Sequence, residues 1–424
     1  MGGRGVDGRA QPVPFLRRMR VRGFRSIRDA EVTFGPLTVL LGLNGAGKSN
    51  VLDAVRFVGD ALTSSPGQAV TDRQGPAVVL HRGYSAAGPG RMHLEVDVEV
   101  HSPPGSTSTG DQLLTAHYAF GLRFDDEAEA GTVIEHEECT VTSAEPGLSA
   151  SYLAHHGRVL RGPDQLMGPV ADTGTLVLPA AARWLPFAPV QAALRGMAFH
   201  ALSPAAMRPA HPRAAQLTLD PAGGRLAEIL DQLAARNPAA KQRVDDYLGA
   251  ILPGALGIDT FTIDQYQTVR LRMADPTAEQ GVAVFPAIAM SDGTLAAAGL
   301  LTALFQPGTW TGAVPLVAVE DPELGLHASA IGALFDALTE ASEHVQVIVA
   351  TQSADLLDRK DFPLDAARIV ETRDGASVVH ELGQPIREVV HRHLATLGEL
   401  QRSNQLTPWP DPPVADPPVA GTAP

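Results

Sequence analysis

The stretch that decides the fold is GLNGAGKSN at residues 42–50, which fits the pattern G-x-x-x-x-G-K-[ST] in full. An apolar, β-branched run over residues 37–41 precedes it and predicts a buried parallel strand. Apolar residues at helical spacing follow over residues 50–58 and predict a helix. A glycine-rich turn between a strand and a helix is typical of a phosphate-binding loop. The alternative is a glycine-rich turn that matches the pattern by chance.

The residue types in this loop predict particular contacts with a nucleotide. Gly42, Gly45 and Gly47 allow backbone conformations that other residues avoid, so that consecutive N–H groups can face an anion. Lys48 is predicted to reach the β- and γ-phosphates, and Ser49 to offer its hydroxyl to Mg²⁺. The helix that follows adds the positive end of its dipole. The predicted ligands are therefore a nucleoside triphosphate and Mg²⁺.

The composition limits the class of protein. With 424 residues, 44% of them hydrophobic and 19% charged, the chain has the balance of a globular protein with a sizeable core. A formal net charge of −14 argues against the broad basic surface of a strong non-specific DNA binder. Cys139 is the only cysteine, which excludes an intrachain disulfide and fits a reducing compartment. No apolar run approaches the roughly 20 residues of a membrane span, so the predicted location is cytoplasmic.

A basic cluster near the start of the chain stands out against the acidic balance. Its members are Arg17, Arg18, Arg20, Arg22, Arg25 and Arg28. Such a run suits a solvated strand edge and a nucleic-acid or nucleotide contact equally well. The sequence leaves both interpretations open.

The order of patterns predicts an α/β fold, a P-loop NTPase head with a mostly parallel core sheet, an added antiparallel sheet and a helical lobe. Alternation of apolar and polar residues from 93 to 142 indicates the antiparallel sheet. The predicted head extends over residues 17–404. Its predicted parts and flanks are a flexible N-terminus (1–16), an antiparallel region (about 90–180), a helical lobe (about 188–305), a nucleotide core (312–380) and a disordered proline-rich tail (405–424).

Three local patterns in the second half of the chain also predict structure. Residues 261–273 are predicted as one strand, and residues 384–401 as one final helix. Residues 369–379 are predicted as a hairpin around Asp374 and Gly375, because an Asp-Gly pair favours a tight turn.

The segment MSDGT, residues 290–294, opens an apolar helix. Ser291 is a good N-cap, and Gly293 keeps the backbone bare, so this helix end presents unpaired N–H groups to an anion. Ordinary helix capping explains the segment equally well in isolation.

Two further segments place polar residues at strand ends. In VPLVAVEDPELGLH, residues 314–327, Glu320 is predicted to hold Mg²⁺ and Asp321 to deprotonate the attacking water. Acidic residues also end strands as solvated caps, but the apolar run before them argues against that alternative. In VQVIVATQSADLLD, residues 345–358, Gln352 is predicted to face the γ-phosphate. This segment is weak alone, because polar residues end most strands.

Together and in this order, the segments resemble the ABC-type ATPase heads of the SMC, RecF and OLD-nuclease group. The resemblance covers about residues 18–381 and is strongest at FRSI, GLNGAGKSN, MSDGT, EDPELGLH and TQSADLLD. It implies that Arg25 of the FRS motif lies by the nucleotide. It also implies that the Walker A residues contact the nucleotide: Asn44, Gly45, Ala46, Gly47, Lys48, Ser49 and Asn50.

The resemblance also implies a dimer with shared sites. Ser291 and Gly293 of one copy would bind the γ-phosphate of ATP held by the other copy, and His327 would lie at the boundary between them. Glu320 would bind Mg²⁺, and Asp321 would activate water.

The chain departs from the family pattern at three points. Asp321 stands where the wider class has Glu; its side chain is one methylene shorter, so slow hydrolysis is expected. Gln352 stands where His is usual, and an amide can donate a hydrogen bond but cannot carry a proton. No glutamine matches the Mg²⁺-binding Q-loop; residues 200–203 and residues 81–82 are the candidate positions.

The predicted function is an ATPase that dimerises on ATP and switches a DNA-related or defence partner. The alternative is an ATPase regulatory subunit of a nuclease effector complex, which binds protein rather than DNA. A nuclease on the same chain is disfavoured because no acidic cluster resembling a Toprim site follows Gln352, so a nuclease would be a separate polypeptide. A transporter subunit is disfavoured because the interval from Lys48 to Ser291 is too long and too rich in strand patterns. The same interval lacks sustained heptads, which excludes a long coiled coil.

Overall fold

The computed structural model describes residues 15–82, 90–102, 112–124, 131–144, 148–169, 174–213, 218–278 and 280–406. The chain begins with strands β1 (Leu16–Phe24), β2 (Ile27–Thr33) and β3 (Leu37–Leu41) and helices α1 (Lys48–Thr63), α2 (Pro66–Thr71) and α3 (Pro76–Val79). Six strands follow: β4 (Gly90–His101), β5 (Leu113–Phe124), β6 (Thr132–Ser143), β7 (Ala150–His155), β8 (Arg158–Arg161) and β9 (Gly168–Pro169).

Helices and short strands alternate in the middle of the chain. They are α4 (Leu178–Ala181), α5 (Phe187–Arg195), β10 (Ala198–His200), α6 (Pro204–Met207), β11 (His211–Pro212), α7 (Leu226–Arg236), α8 (Pro238–Ile251), β12 (Ala255–Ile263), β13 (Tyr266–Ala274), β14 (Val282–Pro286) and α9 (Asp292–Phe305). The remaining elements are α10 (Pro307–Thr311), β15 (Leu316–Glu320), α11 (Ile331–Ala341), β16 (Gln346–Thr351), α12 (Ala354–Leu357), β17 (Ala367–Arg373), β18 (Ala376–Glu381), α13 (Gln384–His391) and α14 (Leu397–Arg402).

The core sheet has the strand order β10-β15-β16-β3-β17-β18. Its neighbouring strands run parallel except β18, which pairs antiparallel with β17. Leu40 and Ile348 pack on one face with α1, whereas Val39 and Val349 pack on the other face with α9 and α11. Burial of both faces explains why these strands read as continuous apolar runs. The predicted mostly parallel sheet is confirmed.

A second sheet of eight strands has the order β2-β1-β4-β5-β6-β7-β8-β9, and its pairs are antiparallel. In β4 the inward residues Leu94, Val96 and Val98 are buried, and the residues between them are half-buried on the opposite face of the sheet. This period of two is the pattern that predicted the sheet. Strands β1 and β2 belong to this sheet, so the chain crosses from it into the core sheet at β3.

Most arginines of the N-terminal basic cluster are paired with acidic residues. Arg18 bonds to Glu31, Glu95 and Asp97, and Arg20 and Arg22 both contact Asp29. Arg17 pairs with Glu99 at 3.0 Å, and Arg25 pairs with Asp53 at 2.8 Å. These pairs favour the solvated strand face over a free basic patch.

Two local predictions were wrong in the same way, because a turn interrupts each predicted element. The single strand predicted at residues 261–273 is a hairpin of β12 and β13, with Asp264 at its turn in the left-handed region at φ 54°. The final helix predicted at residues 384–401 is divided into α13 and α14, and His393 between them has φ 54°. The predicted helical lobe therefore also carries a small sheet of β11 to β14.

The chain ends are described only in part. Phe15 and Leu16 are buried, so the folded part includes residues before 17, and Leu406 is buried near the other end. Residues 1–14 and 407–424, which hold most of the predicted lead-in and tail, lie outside the described residues. Over the described part of the chain, every helix is too short or too polar to cross a bilayer.

Candidate functional site

The glycine-rich turn lies between β3 and α1, and the helix begins at Lys48. Gly45 and Gly47 have φ values of 79° and 106°, which L side chains rarely adopt. A Cβ on Gly42 would lie 2.1 Å from the carbonyl oxygen of Val370, and one on Gly47 would lie 2.1 Å from Oγ of Ser377. The loop thus requires glycine for its backbone conformation at Gly45 and Gly47, and for close packing at Gly42 and Gly47.

Lys48 lies inside this loop. Its Nζ donates to the carbonyl oxygens of Gly42 at 2.9 Å and Leu43 at 3.1 Å. Burial lowers the pKa of Lys48, and the carboxylates of Asp321, Glu323 and Glu320 oppose this shift. Two backbone carbonyl oxygens thus hold the amine of Lys48 within the turn.

The side chain of Ser49 contacts the last residue of strand β15. Its hydroxyl donates to Oε2 of Glu320 at 2.7 Å, and Glu320 is exposed at the carboxyl end of the strand. A hydroxyl and a carboxylate are oxygen ligands of the kind that Mg²⁺ takes together with waters and substrate phosphates. Among the described residues, no group of three or more His, Cys, Asp or Glu side chains is placed to hold a metal ion. The residues present fit Mg²⁺.

The next residue, Asp321, has an unusual backbone. Its φ is 42°, in the left-handed region that Asp tolerates better than most residues, and its N–H donates to the carbonyl of Ala350 at 2.8 Å. This bond holds the end of β15 against β16. Glu320 is thus the last residue of the strand, and Asp321 follows it directly.

Strand β16 carries the third predicted segment to the same edge of the sheet. Gln352 is exposed just after the strand, and its carbonyl accepts from Nε2 of Gln401 at 3.0 Å. The hydroxyl of Thr351 donates to the carboxylate of Glu323. Burial raises the pKa of Glu323, although the hydrogen bond from Thr351 opposes the shift.

Arg25 and Asn50 bond within the chain rather than lying free at the loop. Nη2 of Arg25 is 2.8 Å from Oδ2 of Asp53, one turn into α1. Nδ2 of Asn50 donates to Oγ of Ser26 at 2.6 Å. Asn44 is exposed at the tip of the loop. Of these three predicted contacts, only Asn44 faces solvent without a described bond.

The start of helix α9 confirms the predicted cap. Oγ of Ser291 accepts from the N–H of Thr294 at 3.1 Å. A Cβ on Gly293 would lie 2.2 Å from the carbonyl oxygen of Gly325, so this helix end packs against the segment that follows Asp321. Two nearby apolar side chains are strongly exposed, Ile288 at 81% and Leu324 at 74%.

The protein family described as RecF/RecN/SMC N-terminal domain matches residues 15–375 of this sequence. The chain belongs to this family. The resemblance to the ABC-type ATPase heads is thus confirmed.

Individual proteins agree with the family match. Structural maintenance of chromosomes protein 3 of Saccharomyces cerevisiae is 31% identical over 123 residues, which is 26% of this chain and 9% of that protein. The OLD nuclease of Thermus scotoductus is 44% identical over 43 residues, 10% of this chain and 8% of that protein. The chain therefore matches less than a tenth of the length of either relative.

A solved SMC head bound to the C-winged helix domain of ScpA has the same fold. It superposes with a TM-score of 0.51 at 15% identity and covers 88% of this chain and 100% of that one. At this identity the likeness establishes the SMC head fold alone.

Within this head, the two candidate Q-loop positions lie in different places. Strand β10 pairs with β15 so that His200 lies opposite Val319, and residues 200–203 therefore emerge beside Glu320. His81 instead contacts the backbone of Arg25, with Nδ1 2.9 Å from its carbonyl oxygen. Burial lowers the pKa of His200 to about 4, so this imidazole is neutral.

Sequence reasoning missed three side chains of this head that contact the loop or the strand ends. They are Ser26 and Ser377, which bond beside the Walker A turn, and Glu323, which bonds Thr351. Ser377 lies 331 positions from Ala46, its hydrogen-bond partner, so no local pattern could have indicated the contact. Glu323 has a visible signal, because it completes the Asp-Pro-Glu sequence after the strand.

Proposed function

We propose that this head binds and hydrolyses ATP with Mg²⁺, and that ATP joins two copies of the chain. The observation that carries the proposal is the 2.7 Å hydrogen bond between Ser49 and Glu320. This bond supports the proposal because it brings Ser49, next to Lys48, within hydrogen-bond distance of the acidic strand end, and a Mg²⁺–triphosphate site requires these groups together.

The proposed roles follow from the chemistry of each side chain. Lys48 binds the β- and γ-phosphates, and Ser49 and Glu320 hold the metal. When bound, Mg²⁺ neutralises charge on the phosphate oxygens. Asp321 orients the attacking water and accepts its proton, and Gln352 donates a hydrogen bond near the γ-phosphate. Because the Asp321 side chain is short and Gln352 cannot carry a proton, we expect slow hydrolysis.

The proposed dimer follows from the start of helix α9. Its first N–H groups have no partner within the helix, and Ser291 satisfies only one of them. In the dimer, Ser291 and Gly293 of one copy contact the γ-phosphate bound to the other copy. The exposed Ile288 and Leu324 lose contact with water in the same step. ATP thereby stabilises the dimer through contacts that the separate chains do not make.

Two downstream functions are candidates. The first is a switch that acts on DNA or on a DNA-related or defence partner, as the resemblance to RecF, SMC and OLD proteins suggests. The second is a regulatory subunit that binds an effector protein such as a separate nuclease. The ion pairs of Arg17, Arg18, Arg20 and Arg22 support the second, because these arginines are already neutralised by acidic neighbours.

The test of ATPase activity is phosphate release by the purified chain with and without Mg²⁺. Release that depends on Mg²⁺ and on Lys48 supports the proposal, and none under any condition refutes it. The two downstream functions are separated by measuring DNA binding with and without ATP across a salt series. Binding that requires ATP and weakens with salt favours DNA; its absence favours a protein partner.

A further inference from the structure

The hairpin of β17 and β18 contacts the Walker A loop at two points. The carbonyl of Val370 lies where a side chain on Gly42 would be, and the hydroxyl of Ser377 lies where one on Gly47 would be. Ser377 itself is only 1% exposed. A separate part of the sequence therefore forms one wall of the loop.

Four polar groups join the hairpin, the FRS turn and the loop in one chain of hydrogen bonds. Asn50 Nδ2 lies 2.6 Å from Ser26 Oγ, which lies 2.7 Å from Ser377 Oγ, which lies 2.7 Å from the carbonyl oxygen of Ala46. The backbone N–H of Ser377 also donates to the carbonyl of Ser26 at 2.7 Å.

The direction of every bond in this chain is determined by its two ends. The Asn50 amide nitrogen can only donate, and the carbonyl of Ala46 can only accept. The Ser377 hydroxyl therefore donates to Ala46, and the Ser26 hydroxyl donates to Ser377. No group in this series of hydrogen bonds has a second orientation that satisfies all partners, so the donor and acceptor of each bond are determined.

This arrangement fixes one peptide group of the phosphate-binding loop. In a trans peptide the C=O and the following N–H point in opposite directions. Because Ser377 holds the carbonyl of Ala46, the N–H of Gly47 points away from the hairpin. N–H groups of this turn are those that bind phosphate in the proposed site.

We propose that Ser377 is a positioning residue for nucleotide binding: it holds the Ala46–Gly47 peptide in the orientation that receives phosphate. The inference rests on the proposed ATP site and adds a residue outside the motifs. Without the Ser377 hydroxyl, the peptide can rotate in the free protein, and binding must then restore its orientation. The cost appears as a weaker affinity.

The test compares Ser377→Ala with Thr309→Val, a matched loss of a buried hydroxyl. Thr309 is 3% exposed and donates to the carbonyl of Gln306 at 2.8 Å, outside the motifs of the site. We expect both variants to lower the melting temperature, whereas only Ser377→Ala raises the Kd for ATP, by about fivefold to tenfold. We expect KM to rise with little change in kcat, since Glu320 and Asp321 are untouched.

Ser26→Ala is a second variant that serves if Ser377→Ala does not fold. It removes the donor to Ser377 but leaves the bond to Ala46, so we expect a smaller rise in Kd of about twofold. If Ser377→Ala has a lower melting temperature but an unchanged Kd for ATP, Ser377 has a merely structural role. If Ser377→Ala does not fold, an unchanged Kd for ATP in Ser26→Ala shows the same. If the wild-type protein does not bind ATP, and Lys48→Ala makes no difference, the ATP site itself is overturned. This inference is then overturned with it.

Discussion

The two surfaces that the proposed nucleotide would join are built in opposite ways. At the Walker A loop, two groups bond within the chain: the Lys48 amine donates to two carbonyls, and the Ala46 carbonyl accepts from Ser377. Around Ser291, the helix end is exposed, and Ile288 and Leu324 present apolar side chains to solvent.

This difference indicates which part of the site works alone. Hydrogen bonds within the chain hold the loop in one conformation before any ligand binds. Nucleotide binding then needs little free energy to order the loop. Exposed N–H groups and apolar side chains gain most when another surface covers them. We therefore expect a single chain to bind ATP, and a pair of chains to hydrolyse it.

The largest expected effect comes from removing the Lys48 amine from the Walker A loop. Lys48→Ala should abolish measurable ATP binding, a loss of about 100-fold or more, because two charge-assisted phosphate contacts disappear. Titration calorimetry measures this directly. Lys360→Ala removes an exposed lysine and should bind ATP normally; equal affinity in the two variants would disprove the role of Lys48.

Asp321→Asn should separate binding from hydrolysis. Asn tolerates the φ of 42° at this position, so the backbone is retained while the proton acceptor is lost. We expect unchanged ATP affinity, hydrolysis reduced by roughly 100-fold or more, and accumulation of an ATP-bound dimer. Phosphate release and light scattering measure the two outcomes. Hydrolysis at the wild-type rate would show that Asp321 is not the base.

Leu324→Asp should weaken the dimer without changing the fold or ATP binding of the separate chain. The substitution places a charge on a side chain that is 74% exposed, so the separate chain should fold and bind ATP normally. The ATP-dependent dimer should weaken by about tenfold or more, because the charge would be buried in it. Leu160→Asp is the control, because Leu160 is 52% exposed on β8 of the antiparallel sheet. Equal loss of the dimer in both variants would show that Leu324 does not lie in the contact between the two copies.

The smallest expected effect concerns stability. Burial raises the pKa of Glu323, so its ionisation costs the folded state stability as pH rises from the ordinary carboxyl pKa of about 4.3 through the raised value. Glu323→Gln removes this cost and retains an acceptor for Thr351. We expect a slightly higher melting temperature at neutral pH and no gain at acid pH. A gain that is the same at both pH values would contradict the ionisation argument.

The sequence predicted the parts of the site whose determinants are local. Strand β3, the glycine turn and α1 are adjacent, so their pattern alone defines them. The hairpin at Asp374 and Gly375 was predicted from two residues, and both have positive φ. Glu320 and Gln352 were predicted together because parallel strands end at one edge of a sheet.

The remaining features depend on contacts between distant segments. The bond from Ser377 to Ala46 and the pairing of β10 with β15 arise only when the sheet assembles. The pairing of the N-terminal arginines has the same origin, since Arg18 bonds to Glu95 and Asp97 on β4. The turn at Asp264 was missed because Asp and Gln carry a weaker turn signal than Asp and Gly.

The most direct test of the shared site mixes two inactive variants. Lys48→Ala lacks a working loop, and Ser291→Arg blocks the helix end that would complete the partner's site. If each site combines the loop of one chain with the helix of another, a mixed pair contains one intact site. We predict that the mixture hydrolyses ATP clearly faster than the sum of the separate variants. Activity no greater than that sum would contradict a site shared between two copies.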